Sequence, residues 1–268
     1  MENKISDYRT IDFLCFYLLG VTQADIDGSD KMPDHDLLFK CANRAYLDLN
    51  RTLKFQKVSE KDKENYKELQ KQKSRFRKVI SEIIVDRIAD LMGKEPENYN
   101  EWHKETCKKV IDKAKEYEQK NWLQKNGKDG FYYGQAQKWV NMTIKYMWVT
   151  GRWKDKLDKL MKDLHVPVDS YILQGVWDDE NLRLEDKRDI LEKVFRGDIE
   201  ARLKEGKKFN DQWVVSWSRW DDKQYISFQE NLRKKLNENP FTWEGEMWIK
   251  IAKKRKEEAE IDQDEQYE

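Results

Sequence analysis

Apolar residues recur along this chain every three or four positions, and that rhythm leaves room for little but α-helix. Four prolines and eleven glycines are few breakers for 268 residues. Runs of β-branched residues, the mark of strands, are rare. The clearest stripe follows Pro33, where Leu37, Leu38, Cys41, Ala42, Ala45, Tyr46 and Leu49 share one helical face. Similar patterns run from about Tyr8 to Gly20, Ser59 to Met92, Tyr99 to Asn121, Leu184 to Phe195, Ile199 to Gly206, Asp221 to Leu236 and Thr242 to Lys256. The expected fold class is therefore all-α.

The stretch from Ser59 to Met92 is the longest, and Gly93 is a natural stop for it. Its first half is mostly charged, while Val79, Ile80, Ile83, Ile84, Ile88 and Leu91 crowd its second half. This pattern predicts a helix that projects from the body before joining it. Eleven tryptophans and twelve tyrosines supply core volume, and Trp213, Trp217 and Trp220 read as a core stripe. Asp221-Asp222 reads as the cap of the helix that follows.

No run of about 18 apolar residues could span a bilayer, and no basic stretch followed by a hydrophobic one opens the chain. The expectation is a soluble, cytoplasmic protein with no membrane partner. Cys15, Cys41 and Cys107 are odd in number and widely spaced, which argues against a disulfide framework and for buried small apolar residues. Formal charge is zero, with 52 basic and 52 acidic residues, a mild argument against nucleic-acid binding. The charges are unevenly placed. Seven acids and no base lie between Glu257 and Glu268, so the rest of the chain carries an excess of seven positive charges. The domain organisation expected is a single two-lobed helical domain over residues 1–256, followed by an acidic tail over 257–268 without fixed structure.

Two segments carry chemistry. Tyr133-Gly134-Gln135-Ala136-Gln137-Lys138 reads as a small-residue turn leading into an apolar helix, with Lys138 in its first turn. Val166-Pro167-Val168-Asp169-Ser170 is a proline-fixed turn whose aspartate is a good N-cap for the next helix. Lysine and aspartate stand 31 positions apart. An amine and a carboxylate at two helix starts are the parts of a covalent site, if both face one cleft.

Gly134-Gln135-Ala136-Gln137-Lys138 resembles the Gly-x-Gly-x-Lys hairpin of the helix-hairpin-helix DNA glycosylase superfamily, the family of endonuclease III and the 8-oxoguanine glycosylases. Gly134 and Lys138 match, and Ala136 stands where the second glycine is usual. Val166 to Ser170 resembles the superfamily's Pro-Val-Asp-Ser/Thr segment without departures. The order of the two matches is the family's, and their separation is similar to that in archaeal 8-oxoguanine glycosylases. The specific resemblance covers about 40 residues, from Tyr133 to Leu173.

The resemblance implies a two-lobed helix-hairpin-helix fold with a cleft between lobes, one of middle helices and one of N- and C-terminal segments. It implies a hairpin near residues 130–138, where Gly134, Gln135, Ala136 and Gln137 contact a DNA phosphate. It also implies that Lys138 attacks C1′ of a modified nucleotide as Schiff-base nucleophile, and that Asp169 stabilises the positive sugar and accepts the nucleophile's proton. The partner would be double-stranded DNA with a modified base, the protein a monomer, and strand cleavage by β-elimination an accompanying lyase step. No metal and no organic cofactor enters this chemistry. The alternative is a non-catalytic helical module that binds DNA or a protein.

Other candidates have plainer readings. His103 and Cys107 share a helix face at metal-ligand spacing, but no second pair follows, so a core cysteine beside an exposed histidine is expected. His165 reads as buried and hydrogen-bonded. Asn141 opens a glycosylation triplet that its apolar helix would hide.

Overall fold

The computed structural model describes residues 4–28, 31–94, 96–124 and 130–264. Among these residues every regular element is a helix, and only two isolated bridges, Phe55 with Leu123 and Phe195 with Val214, pair extended backbone. No helix here is long and apolar enough to cross a membrane. The chain divides into two compact units, Met1–Leu160 and Met161–Glu268.

The N-terminal unit holds α1 (Lys4–Leu19), α2 (Gln23–Asp27), α3 (Asp34–Leu49), α4 (Lys63–Gly93), α5 (Tyr99–Gln119), α6 (Tyr133–Thr150) and α7 (Lys154–Leu160). Its centre is α6, with α3 on one side and α5 on another. Ala42 and Ala45 let α3 come close, and the gap is filled from α6 by Trp139, fully buried with its Nε1 donating to the Ala42 carbonyl at 2.8 Å. The N-terminal helices thus belong with the middle ones rather than with the C-terminal segments. The apolar stripe of α3 accounts for this, since α6 and α4 are what cover it.

The start of α4 does not project. Leu69 and Phe76 are buried, and the Phe76 ring meets Phe55, Tyr117, Phe131 and Trp139 at centroid distances of 5.1 to 6.3 Å. Two apolar residues seven apart, one face of two helical turns, are enough to hold a largely charged segment down.

The C-terminal unit holds α8 (Ser170–Asp178), α9 (Leu184–Leu191), α10 (Ile199–Lys204), α11 (Asp222–Lys235) and α12 (Pro240–Asp264). α8 and α12 approach closely at Gly175, where a Cβ would lie 2.3 Å from Met247 Cγ. The tryptophan-rich stretch is not a helical stripe. It folds as two short 3-10 turns, Asp211–Trp213 and Trp217–Arg219, and of its tryptophans only Trp220 is fully buried. The acidic segment differs from expectation as well: α12 continues through it as far as Asp264, supported by pairs such as Lys256 with Glu260 one turn on. Residues 265–268 lie outside the described residues.

Candidate active site

Lys138 belongs to α6. Gly134, Gln135, Ala136 and Gln137 are not a hairpin turn but part of that helix, which begins at Tyr133. The reason is local. Gln135 Oε1 accepts the Tyr132 N–H at 3.0 Å, closing the helix start, while its Nε2 donates to the Thr52 carbonyl at 3.0 Å. The left-handed backbone expected of a glycine turn occurs earlier, at Gly130 with φ +74°, where the Glu118 carboxylate lies over the space a Cβ would need. Lys138 consequently stands five residues into α6, in its second turn, where the field of the helix start has largely decayed. It is 3% exposed.

The same helix carries a buried polar chain. Gln137 Nε2 donates to the Gly134 carbonyl at 3.0 Å, and Asn141 Nδ2 donates to Gln137 Oε1 at 3.0 Å. Asn141 Oδ1 must then accept, so His103 Nε2, 3.0 Å away, carries the ring proton. His103 Nδ1 is then the unprotonated nitrogen and accepts from the Tyr133 hydroxyl at 3.1 Å. Every bond in the chain has one donor and one acceptor, which suits a neutral ring. Burial holds His103 at a pKa of about 3, against 6.5 for the free side chain, and the Asn141 hydrogen bond opposes that only weakly.

His103 is thus wholly buried, not exposed as expected, and Cys107 beside it is buried too. Burial pushes the Cys107 thiol up, so thiol and imidazole form a neutral pair rather than an activated nucleophile. No group of three or more potential metal ligands occurs among the described residues. The three cysteines are free and buried.

A pH effect follows from His103. Between pH 6.5 and about 3 the unfolded chain takes up a proton that the folded one refuses, so stability falls as pH falls. Relative to pH 8, the loss from this residue at pH 5 is about 2 kcal/mol. Urea unfolding at the two pH values, in the native protein and in His103→Gln, measures it. The variant should lose that share of the pH dependence, and an unchanged dependence would assign it elsewhere.

Asp169 belongs to the C-terminal unit. Asp169 is extended at φ −147° and caps α8, its Oδ1 accepting from the Tyr171 N–H at 2.9 Å and the Ile172 N–H at 3.1 Å. The turn before it is buried and held by one face of α11. Tyr225 bonds His165 Nδ1 at 3.1 Å, Gln229 takes both the N–H and the carbonyl of Val166 at 3.1 and 2.8 Å, and Arg233 donates to the Asp163 carbonyl at 2.9 Å. These three residues recur every fourth position, so one helical face pins Asp163, His165 and Val166 of the turn. From the other side Arg255 of α12 donates to the Ser170 hydroxyl and carbonyl, each at 3.3 Å, and lies 4.4 Å from the centre of the Tyr171 ring. A carboxylate set this way is held in one position.

Sequence reasoning singles out Lys138 and Asp169 as candidates and misses the chain from Tyr133 through His103, Asn141 and Gln137. Its signal is present: two amides four apart, Gln137 and Asn141, set among the apolar residues Trp139, Val140, Met142 and Ile144. No protein-family model matches the chain, and neither does any curated protein or solved structure.

Proposed function

We propose that the protein is a DNA glycosylase that excises a damaged or modified base from duplex DNA, with Lys138 as Schiff-base nucleophile and Asp169 as the carboxylate that stabilises the sugar cation. The observation that carries this reading is the burial of Lys138. Lys138 as a residue is 3% exposed, a burial that carries a desolvation cost a surface lysine avoids, and desolvated lysines are among those that serve as Schiff-base amines. The cap geometry of Asp169 adds a carboxylate of fixed position.

The chemistry balances without a cofactor. The Lys138 nitrogen bonds to C1′ as the bond to the base breaks, and the base leaves with the bonding electrons and a proton. Ring opening breaks the C1′–O4′ bond as the nitrogen's remaining proton passes to O4′, giving the imine and a 4′-hydroxyl; water then hydrolyses the imine, or β-elimination from it cuts the strand. The target nucleotide must first leave the stack, a cost of about a few kcal/mol.

A second reading has its own support. The segment from Gly134 to Gln137 is helical and buried, so it offers no open turn to a phosphate, which favours a non-catalytic module in which the motif serves packing. Incubation with duplex bearing an abasic site or 8-oxoguanine, followed by borohydride, separates the two. The glycosylase reading expects a covalent protein–DNA adduct. Absence of both adduct and base release across a panel of lesions would leave the module.

A further inference from the structure

A groove of about 470 Å³ lies on the N-terminal unit among α1, α3 and α4. Four cations line it, Lys40, Arg44, Arg77 and Lys78, and no carboxylate does among the described residues; its apolar surface includes Phe39 and Leu47. The carboxylates that pair with Arg44 and Lys78 are Asp48 and Glu82, each a turn further along the same helix and outside the lining. Lys40 bonds the Gly20 carbonyl, at 3.2 Å.

Arg77 is the best prepared of the four. Its Nε donates to Asn43 Oδ1 at 2.7 Å, its Nη2 donates to the Asn43 carbonyl at 3.0 Å, and the guanidinium stacks 5.3 Å from the centre of the Tyr46 ring. These neutral partners fix the side chain without neutralising it. Half-buried and oriented, with N–H groups to spare beyond those given to Asn43, it is ready for an oxyanion. Lys40 and Arg44 stand about one turn apart on α3, about 6 Å along the axis, with Arg77 and Lys78 opposite them on α4. The charge is therefore spread along the groove, which suits a chain of phosphates better than a single anion.

We infer that this groove seats the phosphodiester backbone of a nucleic acid, with sugars over Phe39 and Leu47. The choice of nucleic acid among polyanions rests on the glycosylase reading, but the groove needs no chemistry at Lys138. It also supplies phosphate contacts that the helical Gly134–Gln137 segment does not offer.

The test is binding of a fluorescein-labelled, lesion-free duplex, followed by anisotropy between about 50 and 200 mM salt. Arg77→Gln and, separately, the pair Lys40→Gln with Lys78→Gln are expected to weaken binding roughly three- to tenfold at the low-salt end. Each should also flatten the slope of log K against log salt by about 0.9 for every phosphate that is no longer neutralised. Lys162→Gln, an exposed lysine of the C-terminal unit, controls for net charge and should change neither. Circular dichroism melting checks that the variants fold, and the lysine pair keeps the test valid should Arg77→Gln not. An unchanged slope, an equal effect of Lys162→Gln, no binding by the native protein, or polyglutamate bound as tightly as the duplex would each overturn the inference. Slopes that change as expected in a protein that forms no borohydride adduct and releases no base across a panel of lesions would discard the glycosylase reading and support the groove.

Discussion

Lys138→Gln is expected to abolish the borohydride-trapped adduct with abasic duplex while leaving the helical circular dichroism unchanged. An amide nitrogen has no lone pair free to attack C1′ and cannot form the imine that hydride reduces, so loss should be complete rather than partial. The glutamine keeps a polar end of similar reach at a site that is 3% exposed, which protects the fold better than alanine would. Asp169 requires a different choice, because its Oδ1 also caps α8. Asparagine caps about as well as aspartate, so Asp169→Asn should lower base release by about 10²- to 10⁴-fold at nearly unchanged stability. Asp169→Ala removes cap and charge together and should cost about 0.5–2 kcal/mol besides. An adduct that survives in Lys138→Gln would move the chemistry to another amine.

Helix positions are legible in the sequence because a helix buried on one side must repeat its apolar residues near the backbone's 3.6-residue period. α3, α5 and α11 lie within a residue or two of where spacing puts them. Charge and glycine are poorer guides. The charged start of α4 suggests a solvent-facing helix, yet Leu69 and Phe76 outweigh their neighbours, since lysine and glutamate stems can lie along a surface with their charges in water. The acidic end of the chain suggests an unstructured tail, yet its first part continues α12, where glutamate is a good helix former and i,i+4 partners are present. Gly134 suggests a turn, but a glycine takes helical angles readily once Gln135 has closed the start. Within the candidate site Asp169 is legible as a cap because that role is local. The burial of Lys138 and His103 is not, because it depends on what long-range packing brings over them.

Trp139→Ala tests that packing directly and should be the most damaging single substitution in the N-terminal unit. Trp139 is wholly buried, its ring centre 5.1 Å from that of Tyr46 and 6.1 Å from that of Phe76. Truncation removes about 3–5 kcal/mol, through the transfer energy forgone and the cavity opened between α3 and α6. It also deletes the 2.8 Å bond to the Ala42 carbonyl, although that carbonyl is within a helix and less sensitive to the deletion than an isolated one. Because domains are stable by only about 5–15 kcal/mol, such a change removes a large share of the unit's stability. Trp139→Phe separates the contributions: it keeps most of the ring volume and gives up the hydrogen bond, at about 1–2 kcal/mol. Urea unfolding followed by far-UV circular dichroism measures both. A Trp139→Ala destabilisation below that of Trp139→Phe would mean that α3 collapses onto α6 and fills the space. That outcome would remove Trp139 as the residue that spaces the two helices and sets the position of Lys138 beside it in sequence.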